Sequence, residues 1–341
     1  MNSTHPMLAN IFLSLALFDV IVALLAIYIV SFHSPPILRT FRIVQLNITI
    51  SMTFFEVYGG IFGPIFAYTQ TGIYLVGYLR VGVIGTHIFF IFFYVLLSIQ
   101  GGAIGLAFTM KLYSLASTFH RKLMKGLCFG WLVAYYGMIP ICATLLFSAI
   151  DQKMIDTSKA LLAANPLDVP MEWRDSAIIY DMADSLILSA SIIFNLQFSI
   201  MAFLICVEVM MITLLLHLPQ PSLSARTIRM QKQTFRILAL QFLVLIGAYG
   251  TFYSLYLLSR WSLLIGWSWA AIIQRILSPY GNLLSTAHSG LTSIVLLTTT
   301  NSYRKALIGI FVAKKTPTLR TRANSIFIAD MIRRTSSKAV I

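Results

Sequence analysis

Apolar residues fall into seven long runs separated by short polar connectors, and the runs occupy most of the 341-residue chain. They are Leu8–Phe32, Phe41–Phe66, Val81–Met110, Lys125–Ala149, Leu186–Leu216, Phe235–Leu258 and Trp269–Thr299. Crossing a hydrocarbon core of about 30 Å takes about 20 helical residues, so each run is long enough. In lipid every backbone amide must be satisfied within the element, which leaves helices or closed barrels. Barrel strands alternate between apolar and polar residues, and these runs do not. The pattern predicts an all-α fold: a seven-transmembrane helix bundle over residues 1–302, then a tail at 303–341. The two halves match in neither loop length nor motif, which argues against an inverted-repeat transporter.

The connectors sharpen this layout. His33-Ser34-Pro35-Pro36 ends the first helix, because consecutive prolines cannot continue it. Gly59, Gly60, Gly63 and Pro64 predict a kink or a close approach near the end of the second. Gly101, Gly102 and Gly105 give the third a small-residue face, as expected of a tightly packed central helix. The connector from Ile150 to Ser185 is the one long loop, with Asn165-Pro166, Asp168, Pro170 and Glu172-Trp173-Arg174-Asp175. Such a loop is either functional, here as a cover over the bundle mouth, or solvated, and both readings stand. After Pro219 and Pro221 the chain reads as helix, and Arg226, Arg229, Lys232 and Arg236 recur on one face of it. Arg304–Lys315 is apolar between cations and predicts a short amphipathic helix in the interface. The remaining tail is rich in Thr, Ser and Arg, a composition expected to order only on a partner, with Ser325, Thr335, Ser336 and Ser337 as candidate phosphorylation positions.

Composition agrees with a membrane protein. Hydrophobic residues make up 58% and charged residues 11%, against about 25% charged in soluble domains, and mean hydropathy is +0.83. The net charge of +14 sorts by side of the membrane. Arg39 and Arg42, then Lys111, Arg121, Lys122 and Lys125, then the four cations from Arg226 to Arg236, then nine from Arg304 to Lys338 lie on one side. Seven acids between Asp151 and Asp184 lie on the other. The positive-inside rule puts the cation-rich side in the cytoplasm, with the N-terminus outside and the tail inside. A basic chain also suggests nucleic-acid binding, but here the charge does not gather on one soluble face, so no nucleic acid is expected. The juxtamembrane cations are suited to anionic lipid headgroups. Met1–Pro6 lacks a basic segment, and the first run is expected to remain as a span rather than be cleaved. Asn2-Ser3-Thr4 is a glycosylation sequon on the outer side; Asn47-Ile48-Thr49 matches the pattern on the inner side, so only Asn2 is expected to be modified. Cys128, Cys142 and Cys206 all fall within spans and read as small buried residues, without a disulfide framework.

Few ionisable groups lie within the runs, and such groups are functional candidates because they are costly in lipid. They are Asp19, Glu56, Glu208, His87 and His288. The alternative is that each is hydrogen-bonded to a neighbouring helix. The seventh run carries Gln274, Ser278, Asn282, Ser285, Ser289 and Thr292 on one face, with Pro279 to bend it. Ser191, Asn195 and Ser199 share a face of the fifth. Two such stripes line a shared outer cavity or bond helix to helix, and both readings stay open. No catalytic, nucleotide-binding or metal-ligand spacing occurs, so neither an enzyme nor a cofactor nor a metal site is expected.

Several segments resemble one family closely. They are Ser34-Pro35 with Arg39 and Val44-Gln45-Leu46-Asn47; the acidic long loop with Pro166 and Pro170; Leu223-Ser224-Ala225-Arg226-Thr227 through Gln231-Lys232 with Leu240-Gln241; and His288-Ser289-Gly290-Leu291-Thr292-Ser293 with Tyr303-Arg304. Across its length the chain is similar to the nematode serpentine chemoreceptors of class H, seven-helix G protein-coupled receptors. It departs from their pattern at Ser289, at Ser302 and at Gly247 and Gly250, and Met110-Lys111-Leu112-Tyr113 lacks the acidic-Arg pair of rhodopsin-like receptors. The resemblance implies a chemosensory receptor that binds a small environmental molecule and activates a heterotrimeric G protein. The expected location is the plasma membrane, by resemblance the ciliary membrane of sensory neurons. The expected ligand residues are His87, Ser191, Asn195, Gln274, Ser278 and Asn282. The expected G-protein face is Lys111, Arg121, Lys122, Arg229, Lys232 and Arg236, and Pro279, His288, Tyr303 and Arg304 are the expected switch positions. Two other classes compete: a transporter or ligand-gated channel working through Asp19, Glu56 and Glu208, and an accessory membrane protein without a ligand.

Overall fold

The computed structural model describes residues 5–34, 39–67, 72–79, 81–115, 121–164, 169–218, 224–250 and 283–312. The helices are α1 (His5–His33), α2 (Arg39–Phe62), α3 (Val83–Leu115), α4 (Arg121–Ser148), α5 (Gln152–Ala164), α6 (Ser185–His217), α7 (Ala225–Leu245), α8 (His288–Thr299) and α9 (Asn301–Val312). Three short strands, β1 (Pro64–Ala67), β2 (Gly72–Leu75) and β3 (Ala177–Ile179), form an antiparallel sheet in that order. The sheet sits over one end of the bundle, and Lys111 marks the other. Asn2, the end of the sixth run from residue 251, the start of the seventh up to residue 282 with Gln274, Ser278, Pro279 and Asn282, and the tail after Val312 lie outside the described residues.

Four described helices are long and apolar enough to cross a membrane: Met7–His33 of α1, Val83–Leu115, Phe129–Ser148 of α4 and Ser185–His217. α2 and α7 fall short in apolarity rather than length. α2 turns Gln45, Thr49, Ser51 and Glu56 into the bundle, where protein and not lipid receives them. α3 packs against α2, α4 and α6, and α8 packs against α1, α2 and α7. The small face of α3 is an aromatic socket rather than a backbone-to-backbone seam. A Cβ on Gly102 would fall 2.3 Å from the Tyr136 hydroxyl, and one on Gly105 would fall 2.5 Å from the Trp131 ring.

At one end the structure adds a short antiparallel sheet to the predicted helices. The second apolar run is not helical to Phe66. Gly63 takes φ +55°, its amide closes on Gly59 O at 2.7 Å, and Pro64 follows, which is the chemistry of a helix stop. The helix's open carbonyls at Ile61 and Phe62 accept from Tyr78 and Gly77, which holds the hairpin on the end of α2. A run of four apolar residues suits a strand as well as a helix turn, and sequence periodicity cannot separate the two.

The described part of the long connector is folded. It supplies α5, a 3₁₀ turn at Met171–Ser176 and β3, and Trp173 stacks on Tyr74 at 5.4 Å. Ser158 Oγ accepts from the Ile179 amide, and Ser176 Oγ donates to Leu75 O. Two of its acids hold helix starts. Asp151 Oδ1 accepts from the Met154 amide at the beginning of α5, and Asp184 caps α6 through Leu186 and Ile187. Cys142 is buried as expected, but Cys206 is exposed on the outward face of α6.

Gly60 lets α1 and α2 touch. A Cβ there would come within 2.2 Å of Ala16 Cβ, whereas one on Gly59 meets nothing within 4 Å. Gly60→Ala is expected to lower the Tm of the purified protein by several degrees, because overpacking costs about 1–3 kcal/mol. Gly59→Ala is expected to leave it unchanged or raise it, since Ala favours helix by about 1 kcal/mol over Gly. Thermal unfolding of both variants in detergent reads the difference.

Candidate functional site: a buried polar core and the Lys111 end

Among the described residues several buried polar groups of the bundle meet across helices. α8 begins at His288, just after the helical path is interrupted at Ala287. His288 is fully buried, and its Nδ1 lies 2.6 Å from Glu56 Oε1. The same nitrogen faces Ser285 O, so it carries the proton, and Nε2 accepts from the Gln100 amide. Tyr249 and Phe55 pack edge-on to the ring at 4.9 and 6.3 Å. Asp19 approaches from α1 onto Gly290, where a Cβ would fall 2.1 Å from its Oδ1; only glycine leaves room for the carboxylate. Asp19, Glu56, Gln100 and His288 therefore bring α1, α2, α3 and α8 to one point. Ser289 and Thr292 are buried beside it, so the described part of the seventh-run stripe faces inward.

Further ties run along α3. Tyr94 donates to Gln197 Oε1, Gln197 donates to Tyr135 O at 3.3 Å, and Tyr135 donates to Ser98 O at 2.9 Å, which joins α3, α4 and α6. Thr109 donates to Glu208 Oε1 at 2.7 Å, again between α3 and α6. Gln45 and Gln241 exchange hydrogen bonds of 3.0 and 2.9 Å between α2 and α7. At the far end Lys111 Nζ donates to Gln231 Oε1 and Thr234 Oγ1, linking α3 to α7 beside a cavity of about 190 Å³. α9 docks there through Tyr303, which is buried and meets Ser34 Oγ at 2.7 Å. Burial pushes the Tyr303 phenol above its ordinary value. Ile308 and Phe311 of α9 stay exposed, as an interfacial helix requires.

A family model described as the serpentine type 7TM GPCR chemoreceptor Srh matches residues 3–313. The chain belongs to the Srh family. It is thus a multi-pass membrane protein of a chemoreceptor family, in agreement with the resemblance read from its segments. No curated protein matches it.

The geometry of this Srh-family chain redistributes the candidate residues. His87 is fully buried, donates from Nε2 to Leu146 O at 2.8 Å and accepts from the Tyr180 hydroxyl at 3.0 Å, so neither nitrogen is left for a ligand. Asn195 is exposed and bonds back to Ser191 O at 2.8 Å; the inward-facing polar residues of α6 are Gln197 and Glu208. Lys111 is buried, not part of an open basic face, while Lys122, Arg229, Lys232 and Arg236 are exposed. The side chain of Arg121 lies outside the described residues. Arg304 is exposed and bonds Asn301 Oδ1 at 3.0 Å. Gln45, Gln100, Gln197 and Gln241 were not singled out as chemistry, although an amide inside an apolar run is a sign of interhelical bonding.

Proposed function

We propose that this chain is a G protein-coupled chemosensory receptor of seven spans, with the sheet end outside and the Lys111 end in the cytoplasm. The observation that carries the reading is the pair of polar ties that α3 makes at its two levels, through Gln100 to His288 of α8 beside Glu56 and through Lys111 to Gln231 and Thr234 of α7. A small molecule shifts a receptor only if it binds one helix arrangement better than another. Hydrogen bonds between separate helices are discrete contacts that two such arrangements would keep or break. The ligand enters from the sheet end and meets the seventh-run face of Gln274, Ser278 and Asn282. The Gα subunit meets Lys122, Arg229, Lys232 and Arg236, and the receptor resides in the plasma membrane of the sensory cilium. Charge sorting by the positive-inside rule supports the orientation.

Two measurements test this. Epitope tags on intact cells should be accessible at the N-terminus and hidden at the C-terminus until permeabilisation; both accessible together would refute the topology. A panel of small molecules with a promiscuous Gα readout should yield at least one ligand-dependent signal. The meeting of Asp19, Glu56 and His288 also favours a second reading, ion or proton transport through the bundle. That reading predicts flux in proteoliposomes without G protein, lost in Asp19→Asn and Glu56→Gln.

A further inference from the structure

We propose that the cavity between α5 and the start of α3 binds the carboxylate of a small amphipathic acid, with the acid's apolar tail laid against the same two helices. The site lies at the sheet end, which the proposed topology puts outside, and is separate from the seventh-run face. On α5, Ile155, Lys159 and Leu162 follow one another at four and three residues, which sets them on one face. Ser158 ties that helix to the sheet by accepting from the Ile179 amide at 3.0 Å. The first turn of α3 forms the opposite wall, and Arg174 and Asp175 of the 3₁₀ turn complete the lining. The cavity measures about 750 Å³, and small-molecule sites span about 300–1,000 Å³. A Cβ on Gly82, at the α3 side, would meet nothing within 4 Å.

Charge selects the occupant. The connector between Asp151 and Asp184 holds seven acids and three cations. Two of those three cations, Lys159 and Arg174, line the cavity, whereas among the described residues Asp175 is the one acid that does. Lys159 is exposed and forms no ion pair among the described residues; Asp156, one turn before it, accepts from Gln152 at 3.0 Å instead. Arg174 is held at the cavity by its Nε, which donates to Val169 O at 3.3 Å. The start of α3 adds the same sign. Its amides at Val83, Ile84 and Gly85 precede the bond from Thr86 N to Gly82 O, and its first turn holds no acid. A carboxylate takes charge-assisted hydrogen bonds from such donors, about twice as strong as neutral ones. A cation would meet like charge, and a neutral apolar molecule would strip water from Lys159 and return nothing. Val83, Ile84, Ile155 and Leu162 give the tail an apolar wall.

The test uses the full-length receptor in nanodiscs of neutral lipid near pH 7.5, about where carboxylic acids are fully ionised. The probe is tritiated decanoate, with binding to empty discs subtracted. Saturable binding is expected, and decanol and decylamine should displace the probe only at roughly tenfold higher concentration than unlabelled decanoate. Lys159→Gln should weaken binding roughly tenfold, and Lys159→Arg should retain it. Ala163→Phe, which fills the cavity from the exposed side of α5, should weaken it as well. Lys153→Gln, on the same helix but outside the cavity, should leave it unchanged. Absence of saturable binding, decanol competing as well as decanoate, or full affinity in Lys159→Gln overturns the proposal. So does a soluble short-chain phosphatidylglycerol that displaces the probe better than decanoate does, since the cavity's anion is then a lipid headgroup. Nanodiscs present both faces of the receptor, so tags that placed the sheet end inside would fault the topology and leave the site standing.

Discussion

His288→Leu is expected to cut folded receptor at the cell surface roughly tenfold or more, and the double variant Glu56→Leu/His288→Leu to restore much of it. The pair is fully enclosed, with Nδ1 and Oε1 at 2.6 Å. Removing one member of a buried hydrogen-bonded pair leaves the other's polar atoms unsatisfied, at a cost of about 1–3 kcal/mol, while replacing both by apolar residues can be nearly neutral. The whole stability of a domain is about 5–15 kcal/mol, so the single loss is large. Gln100 would also lose its acceptor on Nε2, which adds to the penalty of the single variant. Surface immunostaining and thermal unfolding of the four members of the cycle measure the coupling. Additive effects of the two substitutions would mean that the pair does not act as a unit.

Reversing the charge at Arg229, Lys232 and Arg236 together is expected to abolish ligand-evoked signalling with surface expression intact. All three are exposed on α7, where substitutions usually change stability by no more than about 0.5 kcal/mol each. Their effect lies in association: complementary charge raises encounter rates and like charge repels the partner. Lys111 differs from them despite its equal formal charge. A reversal there places an acid against Gln231 and Thr234 inside the protein and is expected to lower expression as well. Signalling and surface staining on the same cells separate the two outcomes, and a triple reversal that signals normally would remove the α7 face from the proposal.

Much of the layout was legible along the chain. The lengths of α1, α3, α4 and α6 follow from the thickness of a bilayer, which any apolar run must match. α9 was legible because its apolar stretch is short and flanked by cations. Tyr303 and His288 stood out through the family resemblance, and both prove to be buried contact points. The strand at Pro64–Ala67 was not legible, because four apolar residues carry no distinguishing period. For His87 the sequence left a ligand role and a hydrogen bond to a neighbouring helix both open, and only the positions of Leu146 and Tyr180 show that both its nitrogens are occupied.

By itself the sequence determined that this chain lives in a membrane, how its charges divide and to which family it belongs, because hydropathy, length and charge act locally along the chain. Which polar groups meet was decided by the tertiary structure alone. Gln45 and Gln241 lie 196 residues apart, and Gln100 and His288 lie 188 apart. No local rule joins such residues. Packing of separate helices brings them together, and a low-dielectric interior makes each of those meetings costly to break.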